Sequence, residues 1–102
     1  MASTFDVLAE PHRRRILDLL RAGDRSVNEL VGELPLAQPS VSKHLKVLRE
    51  AGLVSVHPDA QRRLYRLRPG PLLEIDEWLG PYRRMWAGSL DALERTLDTM
   101  ED

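Results

Sequence analysis

Gln38-Pro39-Ser40-Val41-Ser42-Lys43-His44-Leu45-Lys46-Val47-Leu48-Arg49-Glu50-Ala51-Gly52 is the stretch from which the rest of the chain is read. It predicts one helix with both ends marked. Pro39 suits the first helical position, where its missing N–H costs nothing. Gly52 suits the left-handed position just past the last turn. Val41, Leu45 and Leu48 recur at spacings of four and three, so they share a face, and Val47 widens it. The opposite face carries Ser40, Ser42, Lys43, His44 and Lys46, all donors, and the single acid, Glu50, falls in the last turn. A helix that is apolar behind and donor-rich in front suits a DNA major groove. Taken alone, the same pattern also describes a surface helix with a solvated basic face.

The flanking residues favour the groove. Upstream, Phe5–Glu10 is a short helix candidate with Ser3 or Thr4 as cap. Pro11 opens a second helix whose buried stripe is Ile16, Leu17, Leu19 and Leu20, and Gly23 ends it. Arg13-Arg14-Arg15 reads as a solvated face paired with acids such as Asp18. Ser26-Val27-Asn28-Glu29 is a capping box for a third, short helix. Pro35 stops that helix and Pro39 opens the next, which is the helix-turn-helix layout. In it Leu30, Leu36, Val41 and Leu45 should touch. Downstream the period changes to two. Leu53–His57 and Leu64–Arg68 read as strands around a turn at Pro58-Asp59-Ala60-Gln61, with Arg62 and Arg63 on the shoulder. A basic hairpin after a helix-turn-helix is read as a wing, able to reach a minor groove or clamp phosphates; an edge hairpin protected by charge is the plainer alternative.

After Pro69-Gly70-Pro71 the chain turns helical. Leu72, Ile75, Leu79, Tyr82, Trp86, Leu90, Leu93, Leu97 and Met100 are three or four apart throughout, a seam about four heptads long. Gly80-Pro81 predicts a kink or two abutting helices. The preceding body is too small to cover the seam and both Trp side chains. Leu72, Ile75 and Leu79 are assigned to packing within one chain. Tyr82, Trp86, Leu90, Leu93 and Leu97, with Phe5 and Leu8 beside them, are assigned to a two-fold dimer interface. Trp78, Tyr82, Met85 and Trp86 could instead line an effector pocket near Pro81, although packing alone explains aromatics at helical spacing.

Composition sets the outer limits. At 102 residues the chain is one domain, running from the N-terminal helices (1–22) through the helix-turn-helix (26–52) and wing (53–68) to a C-terminal helix (71–100). With no cysteine it has no disulfide, thiolate ligand or thiol sensor. No apolar run spans a membrane and Met1–Asp6 lacks a signal-peptide layout, so a cytoplasmic location is expected. The net charge of −1 is unevenly spread. Residues 1–68 hold 12 basic against 8 acidic residues (+4), residues 69–102 hold 3 against 8 (−5), and 38–68 alone carry 7 against 2 (+5). Local positive charge is what meets phosphate.

Three stretches together resemble the ArsR-type family of winged helix-turn-helix repressors: Ala9–Leu20, Gln38–Val54 and Arg62–Leu67. The resemblance implies a mainly α fold with a small β-hairpin, and a homodimeric repressor on an inverted-repeat operator. It also implies that the 39–51 helix reads the major groove. Two positions depart from the family pattern. Ala37 stands where a capping Ser is common and Glu10 where Asp is common, each expected to weaken a cap by up to ~1 kcal/mol. The family's metal-sensing thiolate pair falls on Val31 and Glu33, and its C-terminal helix here has no His. His12, His44 and His57 share no helical spacing, so neither a metal site nor a cofactor is expected. Asp76, Glu77, Asp91 and Glu94 read as a solvated acidic face.

The expected function is therefore metal-independent transcriptional repression with double-stranded DNA as partner. Gln38 and Lys43 are the stronger base-contact candidates, Ser40, Ser42 and His44 the weaker, Lys46 a phosphate contact, and Arg62 and Arg63 wing contacts. The alternative is a winged-helix protein-interaction module that does not read DNA. No Gly-rich phosphate loop or nucleophile–base spacing points to an enzyme. A small-molecule effector stays open.

Overall fold

The computed structural model describes residues 2–100. Five helices and one hairpin follow in order: α1 (Thr4–Leu8), α2 (Pro11–Ala22), α3 (Val27–Glu33), α4 (Gln38–Glu50), β1 (Val54–Asp59), β2 (Arg62–Leu67) and α5 (Leu72–Met100). The core gathers the apolar faces of the middle elements. Ile16, Leu17 and Leu20 of α2 meet Leu30 of α3, Leu34 of the turn, and Val41, Leu45 and Leu48 of α4. Val7, Leu53 and Val54 close it, and Leu36 packs against it from the turn. Each such side chain contributes about 1.5–3 kcal/mol on burial. The four apolar residues expected to join the two helices of the motif therefore all lie in or on one core.

Local signals set the element ends. Ser26 caps α3: its Oγ accepts from the Glu29 N–H at 3.2 Å, and the Glu29 carboxylate accepts from the Ser26 N–H at 3.1 Å. Gly52 sits at φ +77° after α4. There Leu53 N–H reaches back to the Leu48 carbonyl (2.9 Å) and Gly52 N–H to that of Arg49 (3.0 Å), a Schellman ending. Leu48 and Leu53, the apolar pair that such an ending brings together, are fully buried. At the other end of α4, Ala37 supplies no side-chain cap, as its residue type requires.

Four details differ from the sequence expectation. First, Glu10 does cap α2, accepting from the Arg13 N–H at 3.1 Å, because its longer side chain still reaches where Asp would. Second, Arg13 and Arg14 do not turn to Asp18. Their guanidinium groups donate to the Val7 and Leu8 carbonyls at the end of α1 (3.3 and 2.6 Å), where a helix offers unpaired acceptors. Third, β1 runs through Pro58 and Asp59, which pair with Arg63 and Arg62, leaving a two-residue turn at Ala60-Gln61. Ala60 takes φ +57° there. Pro58 is tolerated because a two-stranded ribbon has only edge strands. Fourth, α5 continues as one helical element across Pro81 rather than as two abutting helices. Arg83 bridges that point, donating to the Asp76 carboxylate at 2.6 Å and to the Asp76 carbonyl.

Two of the links that anchor the hairpin to the body lie at its base. Arg25 and Tyr65 exchange backbone hydrogen bonds (3.1 and 2.8 Å), adding a bridge to the outer side of β2. Arg66 grips Asp24 through two guanidinium nitrogens at 3.0–3.1 Å. The wing therefore stands at a set angle to the helix-turn-helix. α5 leaves the body: Leu72, Ile75 and Leu79 are half-buried, and from Pro81 to Met100 every residue is exposed. The radius of gyration, 18.9 Å, exceeds the ~13 Å of a compact chain this long because of that arm.

Candidate nucleic-acid interface

Helix α4 rests on the core through Val41, Leu45 and Leu48, so its opposite side faces out. Gln38, Ser42, Lys43 and Lys46 are exposed there and Ser40 is half-buried. Five of the six candidates on this helix thus lie on its outer or flanking surface, with no acid until Glu50.

His44 is the exception. Its side chain is only 18% exposed, turned toward the start of α2 instead of outward. Its Nδ1 accepts from Arg13 Nε at 3.3 Å, and its Nε2 stands 3.9 Å from a Glu10 carboxylate oxygen. The reason is position: His44 falls one residue before Leu45, on the shoulder between the outer face and the core. Burial lowers its pKa, Glu10 pulls it upward, and Arg13 and His12 lower it further, with a net shift downward. Clamped to α2, His44 ties the recognition helix to the body and turns its ring away from the outer face. His12 joins the same cluster, its Nδ1 3.1 Å from Glu10. The sequence expectation that the three histidines stay dispersed is therefore corrected for two of them. His12 and His44, 32 positions apart, meet because α2 packs against α4. Only His57 stands elsewhere, 2.8 Å from the Ser55 hydroxyl.

Between the first turns of α3 and α4 and the wing tip lies a hollow of about 220 Å³. Gln38, Arg62 and Arg63 line it, as the wing reading requires. Asn28 and Gln61 line it too, and sequence reasoning missed both. Asn28 was read only as filler within a capping box. Its exposed place on the first helix of the motif, the one that crosses the DNA backbone, is the signal that could have found it. The two wing arginines differ. Arg62 is held by Asp59 (3.0 Å) and Glu29 (3.4 Å), which fastens the wing to the α3 cap. Arg63 is exposed and makes no ion pair among the described residues, so it is an available cation on the wing. Hydrogen bonds from the Ser26 backbone and hydroxyl, reinforced by Arg62, hold the Glu29 carboxyl below its usual range despite partial burial.

On the far side of the molecule, Phe5 stands edge-on to Trp78 at 5.7 Å, and Trp78 lies 5.1 Å from Tyr82. The predicted adjacency of the first helix and the seam is thus present. Leu8 is half-buried near Leu72, while Tyr82, Trp86, Leu90, Leu93 and Leu97 are exposed. Trp78 and Met85 are exposed as well, so the four residues considered for an effector pocket do not enclose one within a single chain.

Comparison with known proteins agrees with this layout. Residues 10–56 match the model of the arsR family of bacterial regulatory proteins. The chain is 37% identical over 98 residues to the HTH-type transcriptional regulator Rv2034 of Mycobacterium tuberculosis, covering 96% of this chain and 89% of that one. It is 33% identical over 79 residues to the transcriptional repressor SdpR of Bacillus subtilis, covering 78% and 88%. Among solved structures it resembles the homodimeric winged helix-turn-helix DNA-binding domain of Mb0332 from Mycobacterium bovis. That likeness has a TM-score of 0.60 and 26% identity, over 72% of this chain and 74% of that one. The family consists of regulators rather than enzymes, and no helix among the described residues is long and apolar enough to cross a membrane. With its outward donor face, its anchored wing and these relatives, the chain belongs to the arsR family and is a DNA-binding transcriptional regulator.

Proposed function

We propose that the protein is a cytoplasmic homodimeric repressor that sits on an inverted-repeat operator. The observation that carries this reading is the row of exposed apolar side chains on α5, Tyr82, Trp86, Leu90, Leu93 and Leu97, continuous with Phe5 on α1. In this arm of 29 residues, about 43 Å long, the stripe from Trp86 to Leu97 is left uncovered by the described residues of its own chain. A second copy, related by a two-fold axis, supplies the matching stripe. The homodimeric state of the Mycobacterium bovis relative supports this, and the repressor named among the relatives supports the direction of regulation.

In this dimer the two α4 helices enter successive major grooves about 34 Å apart. Gln38 and Lys43 reach base edges, Ser40 and Ser42 line the approach, and Lys46 neutralises a phosphate. Arg63 on each wing meets the flanking backbone or minor groove, with Arg62 holding the wing in place. Size-exclusion chromatography with light scattering, followed by anisotropy titrations on DNA upstream of the gene, tests the reading. A mass of twice 11.7 kDa is expected, with tighter binding to one inverted repeat than to random duplex. A stable monomer, or equal affinity for both duplexes, would overturn it.

A further inference from the structure

We propose that Glu10, His12 and His44 form a binding site for a divalent transition-metal ion of the zinc, nickel or cobalt type. The site lies where the start of α2 meets the recognition helix, away from both positions at which the sequence lacks the family's metal ligands. One donor atom from each residue lies within 4.8 Å of the other two. A metal with bonds of about 2.0–2.2 Å holds tetrahedral ligand atoms roughly 3.3 Å apart. Glu10 Oε1 and His12 Nδ1 are already 3.1 Å apart, and Glu10 Oε2 is 3.9 Å from His44 Nε2. Closing the set from as much as 4.8 Å asks for up to about 1.5 Å of side-chain movement. The His12 ring is 41% exposed, and among the described residues its hydrogen bond is to Glu10, so it can turn with that carboxylate toward His44.

Donor chemistry points to the same class of ion. Two imidazoles and one carboxylate with an open fourth position suit borderline divalent metals, not soft monovalent copper or hard calcium. The carboxylate is oriented by the helix cap: the Arg13 N–H holds Oε2, the oxygen nearer His44, at 3.1 Å and leaves Oε1, the oxygen beside His12, for the metal.

Arg13 also opposes the ion. Its Nε donates to His44 Nδ1, so the proton of the neutral ring resides on Nε2, the nitrogen that faces Glu10. Coordination through Nε2 moves that proton to Nδ1, where it would confront the Arg13 N–H. Metal and Arg13 therefore compete for His44. Arg13 also holds the Val7 carbonyl at the end of α1, so loading the site releases one of the links between α1, α2 and α4.

The test uses the untagged full chain titrated with Co²⁺, read by its visible d–d absorption, with Zn²⁺ as competitor. Saturable binding of one ion per chain is expected. His12→Ala should weaken it at least ~10-fold while melting like wild type without metal. Arg13→Ala should bind more tightly. In a parallel NMR titration with Zn²⁺, the imidazole resonances of His12 and His44 should shift and those of His57 should not, which keeps the assignment testable if a variant folds poorly. Absence of saturable absorption, equal affinity of His12→Ala and wild type, or His57 moving with the other two would overturn the site. An Arg13→Ala protein that binds no more tightly would overturn the competition. None of these readouts involves DNA, so they stand or fall apart from the repressor reading.

Discussion

At the scale of single residues, two backbone positions carry opposite consequences. Gly52 holds φ +77°, and a Cβ built there would meet only Pro71 Cγ at 3.6 Å, an ordinary contact. The cost of Gly52→Ala is then backbone strain alone, about 1–2 kcal/mol, and urea denaturation should show it with an unchanged m-value. Ala60, at φ +57° in the wing turn, already bears that strain. Ala60→Gly should therefore stabilise the protein by up to ~1 kcal/mol, after allowing for the greater freedom of glycine in the unfolded chain. Both elements were legible from sequence, but only the first backbone position was. Gly52 announces itself after a periodic run, whereas nothing in Pro58-Asp59-Ala60-Gln61 says which two residues turn. Glu29 gives a pH signature. Its folded pKa lies below the usual range because Ser26 and Arg62 favour the charged form. Its contribution is therefore present above the usual glutamate range and is lost as pH falls through the depressed folded value. Thermal melts of wild type and Glu29→Gln should converge on acidification and separate toward neutrality; parallel curves would contradict the pairing.

At the scale of elements, the proposed complex divides recognition between α4 and the wing. Lys43 projects from the outer face of α4, where a base edge would lie, and Arg63 projects from the wing beside the hollow. Lys43→Ala should reduce discrimination between operator and random duplex by about 1–3 kcal/mol. Arg63→Ala should weaken binding to both alike and lower the salt slope by about two, one for each wing of the dimer. Paired anisotropy titrations across a salt series separate these, and identical behaviour of the two variants would undo the division. The outward face of α4 was readable because the helix has both ends marked and a clean apolar stripe. The misplacement of His44 was not. Its helical angle puts it between faces, and what decides its side is a contact with Arg13 and Glu10, more than thirty residues earlier. Periodicity within one helix carries no information about such a partner. The same limit hid Glu10 as an effective cap, the grip of Arg13 and Arg14 on α1, and the meeting of His12 with His44.

At the scale of the whole molecule, the proposed dimer would have its two reading heads spaced by the arm. Each Leu or Trp on its stripe contributes about 1.5–3 kcal/mol when covered, and two-fold symmetry counts every one twice. Leu90→Glu therefore removes two apolar contacts and sets two carboxylates facing the partner. Leu90 lies far out on α5, is 65% exposed and touches no core residue, so the body should fold unchanged and retain the circular-dichroism melt of its helix-turn-helix. The loss of roughly 3–6 kcal/mol in association weakens the dimer at least 100-fold. Operator binding should fall with it, because a monomer neutralises half the phosphates and its salt slope is about half as steep. A monomer with wild-type operator affinity would mean that each chain reads its half-site alone and that the arm serves another partner. A variant that remains dimeric would move the interface off the α5 stripe. Either outcome is decided by light scattering and one salt series on the same sample.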